Sequence, residues 1–215
     1  MSLDSMNDVF TIGHSTHASD HFLGLLAEHG ISAIADVRSS PFSRFNPQFN
    51  REVLSNSLRE HNIKYVFLGD ELGARSKDPD CYIAGKVQYD RLAQTSLFKV
   101  GIERVLEGAE KYRIAVMCAE KDPLACHRAI LVSRALVEQS VVVNHILADG
   151  SIETHAQLVE RMLQAWNLHS EDMFNPKPAR IKEAYRLQGE LIAYTEDSVG
   201  DLEEREVSQV REKPN

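Results

Sequence analysis

Ile114-Ala115-Val116-Met117-Cys118-Ala119-Glu120-Lys121-Asp122-Pro123-Leu124-Ala125-Cys126-His127-Arg128 is the stretch whose reading decides the fold. Ile114 to Met117 is short, apolar and preceded by charge, the pattern of a strand buried on both faces. Asp122-Pro123 is a helix-start pair: Asp accepts from free N–H groups, and Pro is tolerated at the first helical position. The reading is strand, tight loop, helix. In such units ligands gather beyond the carboxyl end of the strand. Cys118 closes the strand, and Cys126, His127 and Arg128 are expected in the first turns of the helix. There the dipole and free N–H groups favour an anion or a thiolate.

The same alternation extends outward. Val9 to Ile12, then Gly13-His14-Ser15-Thr16, reads as a first strand and its turn, and Phe22, Leu25 and Leu26 recur at helical spacing until Gly30. Ile31 to Val37 is a second strand, running into Asp36-Val37-Arg38-Ser39-Ser40-Pro41. Residues 48–62 read as helix, 64–68 as strand, 69–86 as a loop and 89–112 as one helix. Val141 to Leu147 is a further strand, and Ser151 is a candidate cap for a helix on which Leu158, Met162 and Trp166 share a face. This pattern predicts an α/β domain over residues 8–168: a mostly parallel sheet of about five strands, helices on both faces and right-handed crossovers. Residues 169–215 read as a C-terminal extension, with a helix over about 179–194 and a mobile acidic tail.

The formal net charge is −8, but residues 196–215 carry seven acids against three bases, so half of it sits in the tail. The remainder is nearly balanced, which argues against wholesale electrostatic binding of nucleic acid. No apolar run reaches the ~18 residues of a membrane helix, and no charged-then-apolar leader opens the chain; the expectation is a cytoplasmic protein without a membrane partner. Three cysteines, an odd number, fit reduced thiols better than a disulfide framework.

With parallel strands, His14, Asp36, Arg38, Cys118 and Glu120 fall on one edge of the sheet, an inventory of imidazole, carboxylate, guanidinium and thiol. Asp36 and Arg38 are also placed to pair with each other. Cys126 beside His127 and Arg128 is a candidate low-pKa nucleophile. Two further readings stand open: Cys118 and Cys126 as a redox pair, or both joining His127, His145 or His155 around a metal. Seven residues separate the cysteines, against the two to four usual between paired zinc ligands, so no metal ligand is assigned. The null for Cys118 is a small buried residue at a strand end. Arg38 to Arg51 holds three arginines, three phenylalanines and no acid, donors for phosphate and faces for a base. His145 inside an apolar strand reads as a hydrogen-bonded core histidine.

Gly13-His14-Ser15, Asp36-Val37-Arg38 with Pro41, Gly69 to Gly73, and Cys118-Ala119-Glu120-Lys121 through Cys126-His127-Arg128 together resemble the bacterial and archaeal family known as domain of unknown function 488, over roughly residues 8–160. The resemblance implies no particular reaction. Ala74 stands where that pattern has a second glycine, which implies a different loop conformation there.

The expected function is an enzyme acting on an anionic small molecule, such as a nucleotide or phosphorylated metabolite. Arg38, Arg44, Arg128, Ser15 and Ser39 are the candidate ligand-binding residues. Cys126 or Cys118 serves as nucleophile or redox thiol, His14 or His127 exchanges protons, and Asp36 or Glu120 orients them. A phosphatase-type Cys-x5-Arg loop is absent, since Leu124 stands where the Arg belongs after Cys118. The alternatives are a module binding a nucleotide or single-stranded nucleic acid through Arg38 to Arg51, and a metal or redox sensor. The sequence names no cofactor and no oligomeric state.

Overall fold

The five apolar runs become the parallel strands of one sheet in the computed structural model, which describes residues 8–170 and 174–196. In chain order the elements begin β1 (Val9–Gly13), α1 (Ser19–Glu28), β2 (Ala33–Asp36), α2 (Arg51–Glu60), β3 (Lys64–Phe67) and α3 (Gly69–Leu72). A small hairpin follows, β4 (Tyr82–Ile83) and β5 (Lys86–Val87), then α4 (Tyr89–Leu92), α5 (Ser96–Ala109) and β6 (Ile114–Cys118). The last are α6 (Arg134–Glu138), β7 (Val143–Ile146), β8 (Ile152–Thr154), α7 (His155–Ala165) and α8 (Lys177–Ile192).

The main sheet has the order β3-β2-β6-β1-β7-β8, parallel except for β8, which runs antiparallel to β7. The central strands β1, β2 and β6 are buried on both faces, whereas the edge strands β3 and β8 are exposed or half-buried. Phe22, Leu25 and Leu26 of α1 and Leu54 and Leu58 of α2 pack with Phe10, Ile12 and Ile34 on one side. Phe98, Ile102 and Val105 of α5, with Leu131, Val132 and Leu136, pack with Val9, Val116 and Cys118 on the other. A third cluster joins α7 and α8 through Leu158, Met162, Ala184 and Tyr185. The chain leaves β1 and β2 toward the first face and β6 toward the second. The carboxyl end of β6 is therefore a topological switch point, where two loops part and leave a crevice.

The structure departs from the sequence reading where local chemistry outweighs periodicity. The helix expected over 89–112 is two, because the Thr95 hydroxyl accepts from Phe98 N–H and starts a new one. The hairpin β4–β5 lies in what reads as a loop, and the three-residue edge strand β8 has too little alternation to announce itself. Helix α7 is capped by Thr154 rather than Ser151, in a reciprocal capping box with Gln157. The helix after β6 also starts later than Asp122-Pro123 implies. Those residues open a single 3-10 turn, Pro123–Ala125, after which the chain extends at Cys126 (φ −135°, ψ 137°) before helix resumes. The tail expected to be mobile lies, beyond residue 196, outside the described residues.

Candidate functional site

Gly13 makes the crevice narrow. It pairs in register with Cys118, and a Cβ on it would stand 1.9 Å from the Glu120 carbonyl oxygen, so only glycine lets the loop after β6 lie on β1. Arg128, fully buried, holds that loop from the other side: its guanidinium donates to the carbonyls of Glu120 (2.7 Å) and Lys121 (3.2 Å). Arg128–Ser133 is π-helical, and Ser133 Oγ donates to the Arg128 carbonyl at 2.8 Å, one of the acceptors left by the widened turn.

Four side chains meet in the fold thus held. Cys118 and Glu120 come from the strand end, Cys126 and His127 from the helix start, and their sulfur, nitrogen and oxygen atoms lie within 4.8 Å of one another. Cys126 is not in the first turn but just before it, in the capping position, where its sulfur accepts from Arg128 N–H at 3.4 Å. Glu120 Oε2 lies 2.9 Å from the same sulfur. His127 Nε2 stands 3.1 Å from the Val37 carbonyl, which can only accept, so this nitrogen carries a hydrogen. His127 Nδ1 then faces both sulfurs, 3.6 Å from Cys118 and 3.9 Å from Cys126.

Burial alone would raise the Cys126 pKa, but the Cys118 hydrogen bond and the positive charge of Arg128 and His127 hold it well below the ordinary thiol value. Burial pushes the Glu120 carboxyl up, reinforced by Cys126. Burial and Cys126 likewise push Cys118 up. His127 is raised: burial opposes its charge, and the hydrogen bond and charge of Cys126 outweigh it.

A second group adjoins the first. Arg38 donates to both Asp36 carboxylate oxygens (2.9 and 2.6 Å) and to the Phe49 carbonyl, and contacts His14 Nε2 at 3.1 Å. Tyr65 donates to Asp36 Oδ2 at 2.7 Å. Asp36 and Arg38 thus pair with each other, and four of the five N–H donors of the Arg38 guanidinium are engaged within the protein. His14 is equally engaged: Nδ1 donates to the Ser15 carbonyl at 2.8 Å, the ring stacks on Phe49, and burial with the Arg38 charge lowers its pKa to about 4. Neither of its nitrogens is open as a proton shuttle. Arg128, bound to carbonyls, is likewise a positioning group rather than an anion clamp. Ser15 contributes its carbonyl here, and its N–H donates to the Ala119 carbonyl.

A cavity of about 280 Å³ lies over the cluster, lined by Cys118, Glu120 and His127 together with Arg38, Ser39, Ser40, Arg75, Tyr89 and Tyr194. Cys118 faces it, whereas Cys126 sits among Glu120, His127 and the Arg128 N–H. Arg75 and Tyr194 escape sequence reasoning, and Tyr89 is a candidate proton donor that the sequence does not rank above Tyr65 or Tyr82. Arg75 lies in a featureless loop, Tyr89 looks like any helix-start aromatic, and Tyr194 comes from the C-terminal segment, which reaches the rim because Thr195 bridges to Lys86. Arg75 lies over the Tyr194 ring at 4.6 Å, and its N–H donates to Ser39 Oγ. Arg44 is exposed on the outer loop between Phe42 and Phe45, which are 67% and 81% exposed.

His145 and His155 lie apart from this site. Thr11 Oγ1, His145 and His155 are linked at 2.7 and 3.1 Å, and His155 Nε2 meets the Tyr185 hydroxyl at 2.6 Å, all buried. His145 is the hydrogen-bonded core histidine expected, and His155, first in α7, is buried with it rather than on the rim.

The family model described as domain of unknown function DUF488 matches residues 18–135, which span the strand ends and both halves of the cluster. Neither the curated proteins nor the solved structures contain a match.

Proposed function

The chain belongs to the domain-of-unknown-function 488 family, and on that footing we propose that it is an enzyme acting on a small anionic molecule with a cysteine thiol as its reactive group. One observation carries this reading: two thiols, an imidazole and a carboxyl converge, at the switch point of the sheet, beneath a cavity otherwise rich in hydroxyl and guanidinium groups. Cys118 is the sulfur that meets the substrate. With His127 as the neutral imidazole, the Cys118 proton passes to Nδ1 as the sulfur bonds to an electrophilic centre, the bond from that centre to its leaving group breaks with its electron pair, and the imidazolium can return the proton to the leaving group while the Nε2–H stays on the Val37 carbonyl. The neighbouring Cys126 and Glu120, 2.9 Å apart, stabilise the imidazolium. Arg75, with Ser39 and Ser40, holds the anionic group.

Alkylation by iodoacetate and by iodoacetamide, read residue by residue in a mass spectrometer, tests this. In the folded protein the anionic reagent gains on the neutral one at Cys118 relative to the unfolded chain, phosphate slows both, and Arg75→Ala removes the gain. Equal relative rates in folded and unfolded chains, without phosphate protection, would refute the proposal.

A second reading rests on Phe42, Arg44 and Phe45, whose exposed rings are stacking faces for the bases of a nucleotide or a short single strand. It expects salt-sensitive binding of oligonucleotides that Phe42→Ala/Phe45→Ala abolishes and Cys118→Ser leaves intact. Binding unchanged in the double variant eliminates it.

A further inference from the structure

The same four side chains have the composition and the spacing of a metal site. We propose that Cys118, Glu120, Cys126 and His127 bind one thiophilic divalent cation of the zinc class. The inference shares with the reading above only its location in this cluster. The two differ in what the sulfurs do.

The geometry comes first. Zinc lies ~2.3 Å from sulfur and ~2.0 Å from nitrogen in tetrahedral sites, which sets sulfur and nitrogen ligands ~3.6 Å apart. The two sulfurs stand 3.6 and 3.9 Å from His127 Nδ1, and the full set of ligand atoms fits within 4.8 Å. The support around the ligands is the second observation. Metal-bound histidines usually give their other N–H to a carbonyl or carboxylate; here Nε2 is anchored at 3.1 Å on the Val37 carbonyl, which turns Nδ1 toward the sulfurs. The Arg128 N–H supports the Cys126 sulfur, and the Arg128 guanidinium ties down the loop that carries Glu120.

Ligand chemistry selects the cation. Two sulfurs, one imidazole and one carboxylate suit zinc rather than magnesium or calcium, which take oxygen, and an iron–sulfur cluster would need more thiolates. Binding displaces protons, because only thiolates ligate: any proton on either sulfur goes to solvent as the metal–sulfur bonds form. Cys118, Glu120 and His127 line the cavity, so the cation has a route in, and Glu120, on the exposed side of the loop, is the ligand most easily displaced. Sequence spacing hides this because the ligands pair as 118 with 120 and 126 with 127, not as 118 with 126.

The experiment uses the full chain stripped with a chelator and titrated with zinc, then with cobalt(II) as a spectroscopic probe. One cation binds per chain, and cobalt gives the absorption of a tetrahedral site with thiolate ligands. Cys118→Ser, Cys126→Ser and His127→Ala each weaken zinc by roughly 100-fold or more, and Glu120→Gln by about tenfold. Since a variant can fail to fold, the unaltered chain carries a second test: zinc at one equivalent blocks alkylation of Cys118 and Cys126, and chelator restores it. No stoichiometric binding, or binding that survives both serine variants, overturns the inference. A stripped chain that shows the anion preference at Cys118 yet takes up no zinc defeats this inference alone. One that binds zinc through these residues while its stripped thiols stay inert defeats only the thiol-enzyme reading.

Discussion

Two polar clusters lie buried on the same face of one sheet, and they are built differently. The line from Thr11 through His145 and His155 to Tyr185 uses nitrogen and oxygen, and its contacts are 2.6 to 3.1 Å long. The cluster of Cys118, Glu120, Cys126 and His127 includes two sulfurs, its contacts to the imidazole are 3.6 and 3.9 Å long, and one side faces a cavity. Saturated hydrogen bonds among hard atoms rigidify and specify a core. The longer contacts of the second cluster reflect the size of sulfur, and what sets it apart is that Cys118, Glu120 and His127 also face a cavity. Buried histidine is thus not evidence of function by itself.

The sharpest way to press the comparison is acid. Burial lowers His155 to about 4 and holds His145 well below its ordinary value. The unfolded chain takes up these protons near pH 6.5, whereas the folded chain resists down to about pH 4. Stability is therefore full above 6.5 and falls as pH drops through that window, by about 3 kcal/mol for His155 alone. Denaturant unfolding at a series of pH values measures this, and His155→Gln should flatten the limb by its share. His14, on the other side of the sheet's switch point, adds a similar share through its own depressed value, about 4. A stability flat from pH 7 to 4.5 would mean that the line admits water.

Next in size is Tyr185→Phe, which removes the outer partner of His155 and should cost about 1 kcal/mol, read in the same unfolding curves. The rate of alkylation at Cys118 should not move, and a change there would couple the two clusters. The smallest stability effect, within about 0.5 kcal/mol, is expected for Cys126→Ser, because serine is a good cap and its hydroxyl can take the Arg128 N–H. In that variant the reactivity of Cys118 should nevertheless drop, since the negative sulfur beside His127 is gone. A large loss of stability would place Cys126 with the structural cluster instead.

The parallel strands were legible because burial on both faces writes continuous apolar runs such as Ile114 to Met117, and the helices on either side because Phe22, Leu25 and Leu26 keep a helical period. The gathering of His14, Asp36, Arg38, Cys118 and Glu120 at one edge followed from parallel strands alone. What each of them does there was not legible, because that depends on distances. Arg38 and Arg128 look alike in sequence, yet one pairs chiefly with Asp36 and the other, its Nε left without a partner among the described residues, with backbone carbonyls. The position of Cys126 depended on whether Asp122-Pro123 begins a helix or a single turn, and the π-helical start that settles it leaves no periodic signal in six residues. Arg75 and Tyr194 were invisible because loop packing and the Lys86–Thr195 bridge bring them to the cavity, not any local pattern.

The reactive cluster lies inside the span that the family model matches, whereas Ile192 and Tyr194, which complete the cavity wall, lie beyond it. The cavity wall is therefore drawn from both stretches: Ser39, Ser40, Arg75 and Tyr89 from within the matched span, Ile192 and Tyr194 from beyond it. Exchanging residues 190–196 for another segment would change which molecules are admitted and leave the sulfurs, the imidazole and their supports as they are.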